Sequence, residues 1–154
     1  MGGLVIQLVL FSPAVSDRIG DAGPPVYVAS TGAVLIAVLR NLGIAGMPIV
    51  AVGAASNLLA IVANGGFMPA NPAALASIGR APGGGYSNDI VSTSPALAPL
   101  TDQFVLPRWL PLANVFSIGD VLIAIGLAVL IVVAMRPNRA DSSTAAEHRP
   151  ESGQ

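Results

Sequence analysis

Residues 117–135 read Ser117-Ile-Gly-Asp-Val-Leu-Ile-Ala-Ile-Gly-Leu-Ala-Val-Leu-Ile-Val-Val-Ala-Met135, and Arg136-Pro137 ends the run. Residues 118–135 span 18 positions, which at about 1.5 Å each reach about 27 Å, close to the thickness of a bilayer's hydrocarbon core. No polar side chain interrupts 121–135, whereas a helix on the surface of a soluble bundle shows a polar face about every 3.6 residues. The solvent expected for this helix is lipid.

The entry to the helix carries its own chemistry. The Ser117 hydroxyl is placed to accept the backbone N–H three residues on, and the Asp120 carboxylate to reach back to the Ser117 N–H. This is the reciprocal pattern of a capping box, with Asp in place of Glu. Phe116 and Val121 are spaced for a hydrophobic staple, and an acid in the first turn is favoured by the positive end of the helix dipole. Local chemistry thus accounts for Asp120. The other reading open for it is an ionisable group at the membrane boundary that binds a cation or relays protons.

Working outward from this run, the expected fold is all-α: a polytopic helical membrane protein of about four transmembrane helices. The candidate spans are 1–15, 25–42, 48–64 and 118–135, together a membrane domain over residues 1–135. Pro25 and Pro48 suit a helix's first turn, where the missing N–H has no partner to lose. Gly43 follows the second span. Asn64-Gly65-Gly66 follows the third with residues that accept the left-handed backbone of a helix C-cap. Residues 1–15 read as a short or truncated span, with a cleaved signal peptide and a surface helix as the alternatives; the basic leading region of a signal peptide is missing.

The Pro- and Gly-rich segment 65–113 is too polar and too broken to cross lipid, and is expected to form one long outer loop. Within it, Asn71-Pro72 through Gly79 predicts one or two helical turns capped by Asn71, with Leu75 and Ile78 on one face. Pro82-Gly83-Gly84-Gly85-Tyr86 reads as a joint, and Phe104 and Trp109 among leucines and prolines read as a stretch in the headgroup zone. Residues 136–154 are polar and are expected to be a disordered cytoplasmic tail. Arg136 and Arg139 after the last span, with Arg40 between the second and third, place the tail and that turn in the cytoplasm and the long loop outside.

Composition agrees and narrows the function. The chain of 154 residues is 53% hydrophobic and 10% charged, with a formal net charge of −1; soluble domains average about 25% charged residues. All seven basic residues are arginines spread singly, so no nucleic-acid partner is expected. The absence of cysteine removes disulfides, thiolate metal sites and cysteine nucleophiles. No metal-ligand spacing and no serine-histidine-acid set is present, and Pro82-Gly83-Gly84-Gly85 lacks the Lys-Ser/Thr of a phosphate cradle. Catalytic, cofactor-binding and metal-binding residues are therefore all expected to be absent. What stands out is a candidate polar site or helix-cap motif made of Asn57, Asn64, Gly65, Gly66, Asn114, Ser117 and Asp120. Asn57 and Asn64 are seven apart and share a face of the third span. They read either as interhelical hydrogen bonding or, with Asp120 and Asn114, as a small polar pocket near the outer surface. Ala51 with Ala55, and Gly119 with Gly126, recur at spacings that let helices approach closely.

The motifs Asn64-Gly65-Gly66-Phe67-Met68-Pro69, Pro99-Leu100-Thr101-Asp102 and Leu112-Ala113-Asn114-Val115-Phe116-Ser117-Ile118-Gly119-Asp120 resemble a bacterial membrane-protein family, domain of unknown function 5317. The resemblance runs roughly from Gln7 to Met135. It implies a small multi-pass protein of the bacterial cytoplasmic membrane and carries over no activity, substrate or catalytic residue. It also implies a further hydrophobic segment ahead of Gln7-Leu8, so the chain is expected to start late. The expected role is that of a non-enzymatic accessory or structural component of a membrane assembly. Its partners would be the bilayer and either another membrane protein or a second copy of itself. The alternative is a small-solute or ion permeation component with a polar site near Asp120, Asn57 and Asn64.

Overall fold

The computed structural model describes residues 22–79, 89–109 and 114–136. The expected span at 1–15, the joint at 82–86 and the tail beyond Arg136 lie outside the described residues. The first helix, α1 (Gly23–Leu39), opens on Pro24 and Pro25 in its first turn, where they cost no hydrogen bond. Its hydroxyls are folded inward: Ser30 Oγ and Thr31 Oγ1 each donate to the Tyr27 carbonyl at 2.9 Å. An apolar helix thereby carries two hydroxyls without presenting them outward.

After Leu39 the chain reverses. Asn41 N–H donates to Val38 O at 2.9 Å and Ile44 N–H to Asn41 O at 3.0 Å, closing the turn that leads into α2 (Met47–Ala63). The expected span 25–42 thus ends three residues early, because Arg40 to Leu42 belong to the turn. At its far end α2 is stopped by a Schellman motif. Gly65 N–H donates to Val62 O at 3.3 Å and Gly66 N–H to Ile61 O at 2.9 Å, with φ of +71° and +90° at the two glycines. The last helix, α4 (Ile118–Ala134), starts at the predicted residue.

Helix α2 lies between the other two long helices, antiparallel to both. Against α4 the approach is backbone to backbone. A methyl on Gly53 would sit 2.5 Å from Gly119 O, and one on Gly126 would sit 2.7 Å from Gly46 O. Gly46 at the α2 N-cap and Gly53 within α2 therefore face Gly126 and Gly119 of α4, seven residues apart on both sides of the contact. Against α1, Tyr27 packs with Ala60, Ile61 and Met68 in a small buried cluster.

The connection from α2 to α4 is the part of the chain that departs from an all-α fold. It contains β1 (Met68–Ala70), a short α3 (Pro72–Ser77), β2 (Asp89–Val91), a single 3-10 turn (Ala98–Leu100), β3 (Phe104–Val105) and β4 (Val115–Phe116). Strand β1 pairs in parallel with β2, Pro69 opposite Ile90, and β3 pairs antiparallel with β4, Phe104 opposite Phe116. Asp102 adds a parallel bridge to Ala70, held by Asp102 N–H to Pro69 O at 2.9 Å and Asn71 N–H to Asp102 O at 3.0 Å. The loop is thus a folded cap. The predicted turns after Asn71 are present as α3, and Leu75 and Ile78 share a face that packs with Ala70, Val105 and Val115.

Each of the three long helices has 17 residues, about 25 Å of rise. Among the described residues, no helix is long and apolar enough to cross a membrane. The described chain is mostly helical, with the folded cap gathered at the end of the bundle where α2 stops and α1 and α4 begin.

Candidate functional site

The site grows from the α4 entry. Ser117 is in extended backbone and fully buried, so its hydroxyl is free of solvent and available to the helix. Asp120 N–H donates to Ser117 Oγ at 3.1 Å and Ser117 N–H donates to Asp120 Oδ2 at 3.0 Å, which completes the capping box read from the sequence. Phe116, expected as half of a staple, has its ring stacked on Phe104 at a centroid distance of 5.6 Å.

What the sequence left open is the third member. Asn57 projects from α2 into this cap, donating Nδ2–H to Asp120 Oδ1 at 2.7 Å and accepting the Ser117 hydroxyl at Oδ1 at 2.8 Å. Four hydrogen bonds close one ring through Asn57, Ser117 and Asp120. Both carboxylate oxygens have a donor, the Ser117 hydroxyl both donates and accepts, and both ends of the amide are used. The bonds to the carboxylate are charge-assisted and are the stronger members of the ring. Gly119 is what lets Asn57 in, since a methyl there would collide with the amide Oδ1 and lie 2.6 Å from its Cγ. Ser-Ile-Gly-Asp thus supplies a cap, a space and an acid, and α2 supplies the amide that joins them.

Asn64 is two turns further along α2 and does a different job. Its Nδ2 donates to Ala60 O at 2.8 Å and Ala96 O at 2.9 Å, while its Oδ1 accepts Ala96 N–H at 2.9 Å. One side chain therefore pairs with a residue of the cap as a strand neighbour would. Gly65 and Gly66 supply the left-handed backbone of the helix stop, and Gly66 also rests on Pro24, 2.5 Å from where its Cβ would stand. Asn114 is exposed, and its carbonyl accepts Leu106 N–H at 2.7 Å. The seven candidate residues thus resolve into a part-buried ring of Asn57, Ser117 and Asp120, a helix stop and loop clamp of Asn64, Gly65 and Gly66, and a hairpin position at Asn114.

Sequence reasoning missed two parts. Gly46 and Gly53 complete the helix contact, and their spacing of seven, equal to that of Gly119 and Gly126, was the available signal. The cap also holds its own polar chain: Asn71 caps α3 through Ala73 N–H at 2.9 Å and donates to Gln103 Oε1 at 3.1 Å, and Gln103 donates to Thr101 Oγ1 at 2.7 Å. No local pattern announces those long-range partners. Among the described residues, no group of three or more His, Cys, Asp or Glu could hold a metal ion.

A family model described as a family of unknown function, DUF5317, matches residues 1–132. No curated protein and no solved structure matches the chain.

Proposed function

This chain belongs to the DUF5317 family, and from that premise we propose that it is a bacterial cytoplasmic-membrane protein with a non-enzymatic, structural role in a membrane assembly. The observation that carries the reading is how polarity is distributed. The polar side chains of the helices turn inward or toward the cap, while large apolar side chains face outward on all three: Ile36 on α1 is 52% exposed, Val52 on α2 60% and Ile131 on α4 54%. Large apolar side chains exposed on all three long helices call for lipid or protein rather than water. Helices of 17 residues stand at the short end of the roughly 17–25 that span a bilayer, and local thinning of the bilayer takes up the remaining few ångströms. Arg40 and Arg136 lie at the end away from the cap, which favours a cytoplasmic turn and an outer cap.

The closed ring supports the structural role over permeation. An ion or proton path needs a line of polar groups free to exchange partners, and each oxygen of Asp120 already accepts a hydrogen bond inside the ring, from Ser117 and from Asn57. Carbonate extraction followed by a native gel after mild solubilisation tests the proposal. It expects the chain to stay with the membrane pellet and to migrate in a complex larger than itself. Release by carbonate, or migration as a lone chain, overturns it.

A further inference from the structure

We propose that Arg108 and Trp109, the last described residues of the arm that leaves β3, form an interfacial anchor in which Arg108 binds lipid phosphate and the Trp109 indole sits at the headgroup level. The proposal rests on the membrane reading above and deepens it by assigning a lipid-binding element to the cap. Trp109 is 80% exposed and is the only tryptophan in the chain. An indole has a large apolar body and one N–H donor, a combination that favours the bilayer boundary over both water and hydrocarbon. Arg108 beside it is exposed, and among the described residues its guanidinium has no hydrogen-bond or ion-pair partner. Phe104, on the same hairpin, is 44% exposed although its ring stacks on Phe116.

The hairpin ties these groups to the entry of α4. Its returning strand β4 ends at Phe116, the residue before the α4 cap, so the base of the hairpin is fixed at the point where α4 starts. Phe104 pairs with Phe116 and Leu106 N–H with Asn114 O, which ties the outgoing strand to the same boundary. Arg108 is held by packing rather than by charge: Gly79, at φ +67°, leaves room for its guanidinium, and a methyl there would lie 2.7 Å from Cζ. A positioned, unpaired cation beside an exposed indole is complementary to a phosphate lying over an ester-rich layer. Anionic headgroups fit that surface, whereas a second copy of this arm would bring like charges together.

The single tryptophan makes the test specific. The full chain is reconstituted in vesicles of phosphatidylcholine, alone or mixed with phosphatidylglycerol, with bromine placed either near the headgroup or at the chain end. Flotation reports membrane association, and Trp109 fluorescence reports the anchor. The expected result is blue-shifted emission, protected from acrylamide and quenched more by shallow than by deep bromine. Arg108→Gln, an exposed change that leaves the fold intact, should lower the ratio of lipid-docked to water-exposed Trp109 about fivefold in phosphatidylglycerol, the weight of one arginine near an anionic surface. Floating vesicles with a water-exposed, acrylamide-quenched Trp109 would overturn the anchor and leave the membrane reading standing. Protection without bromine quenching would assign the arm to a protein contact and overturn the anchor equally. Quenching unchanged by Arg108→Gln would remove the phosphate role, and failure to float would remove the membrane reading and the anchor with it.

Discussion

At the scale of single residues, Asn57 is the side chain whose loss is most informative. Asn57→Ala leaves Asp120 Oδ1 and the Ser117 hydroxyl each without the partner it has now. Part-buried polar groups stranded in this way cost about 1–3 kcal/mol. A correspondingly lowered unfolding midpoint in detergent is expected, with the helices still formed by circular dichroism. Asp120→Asn keeps the shape and an oxygen for Ser117 N–H but turns its own amide N–H toward the Asn57 amide N–H, donor facing donor, so a loss of about 1–3 kcal/mol, comparable to that of Asn57→Ala, is expected. Because both residues act in one ring, the double variant should lose less than the sum of the single ones, by about 0.5–3 kcal/mol in a double-mutant cycle. Additive losses would mean that Asn57 and Asp120 stabilise the protein independently. Ser117 and Asp120 were legible as a pair because a capping box is written in three consecutive steps of chain. The Asn57 partnership was legible as one of two readings, interhelical hydrogen bonding or a polar pocket with Asp120 and Asn114, since nothing in residues 48–64 says which helix will lie opposite.

At the scale of elements, the α2–α4 contact depends on four absent side chains. Gly53→Ala would press a methyl against Gly119 O and Ile123, atoms of a rigid helix that can yield only by moving α4 away. Overpacking of this kind costs about 1–3 kcal/mol, and the ring at Asn57 should open with it. Gly32→Ala in α1 is the matched control: nothing lies within 4 Å of its Cβ position, and replacing a mid-helix glycine by alanine gains about 0.8–1.0 kcal/mol. The two substitutions should therefore shift the unfolding midpoint in opposite directions. The stop of α2 at Gly65 and Gly66 and the start of α4 after Ser117 were legible because they rest on local chemistry, whereas α1 ends three residues before the expected position. The strands of the cap were not predicted. At two or three residues each they are too short to carry an alternating pattern, and their pairing partners are up to about twenty residues away in the chain.

For the whole molecule, the proposal places the cap outside and the α1–α2 turn inside. The chain has no cysteine, so Ala45→Cys in the turn and Ser94→Cys in the cap, both exposed positions, report the two sides separately. With a membrane-impermeant maleimide on intact cells, Ser94→Cys should label and Ala45→Cys should label only after permeabilisation. The reverse pattern would invert the orientation, and labelling of both in intact cells would remove the membrane arrangement. The sequence by itself determined the three long helices, the stop of α2, the start of α4 and its capping box. Each of these depends on chemistry between residues at most a few positions apart. Tertiary structure alone decided that α2 is the central helix, that Gly46 and Gly53 meet Gly126 and Gly119, and that Asn57 closes the ring while Asn64 clamps Ala96. Those outcomes depend on which surfaces can approach within hydrogen-bond distance once the chain has turned back on itself, a property of packing that no single stretch of sequence contains.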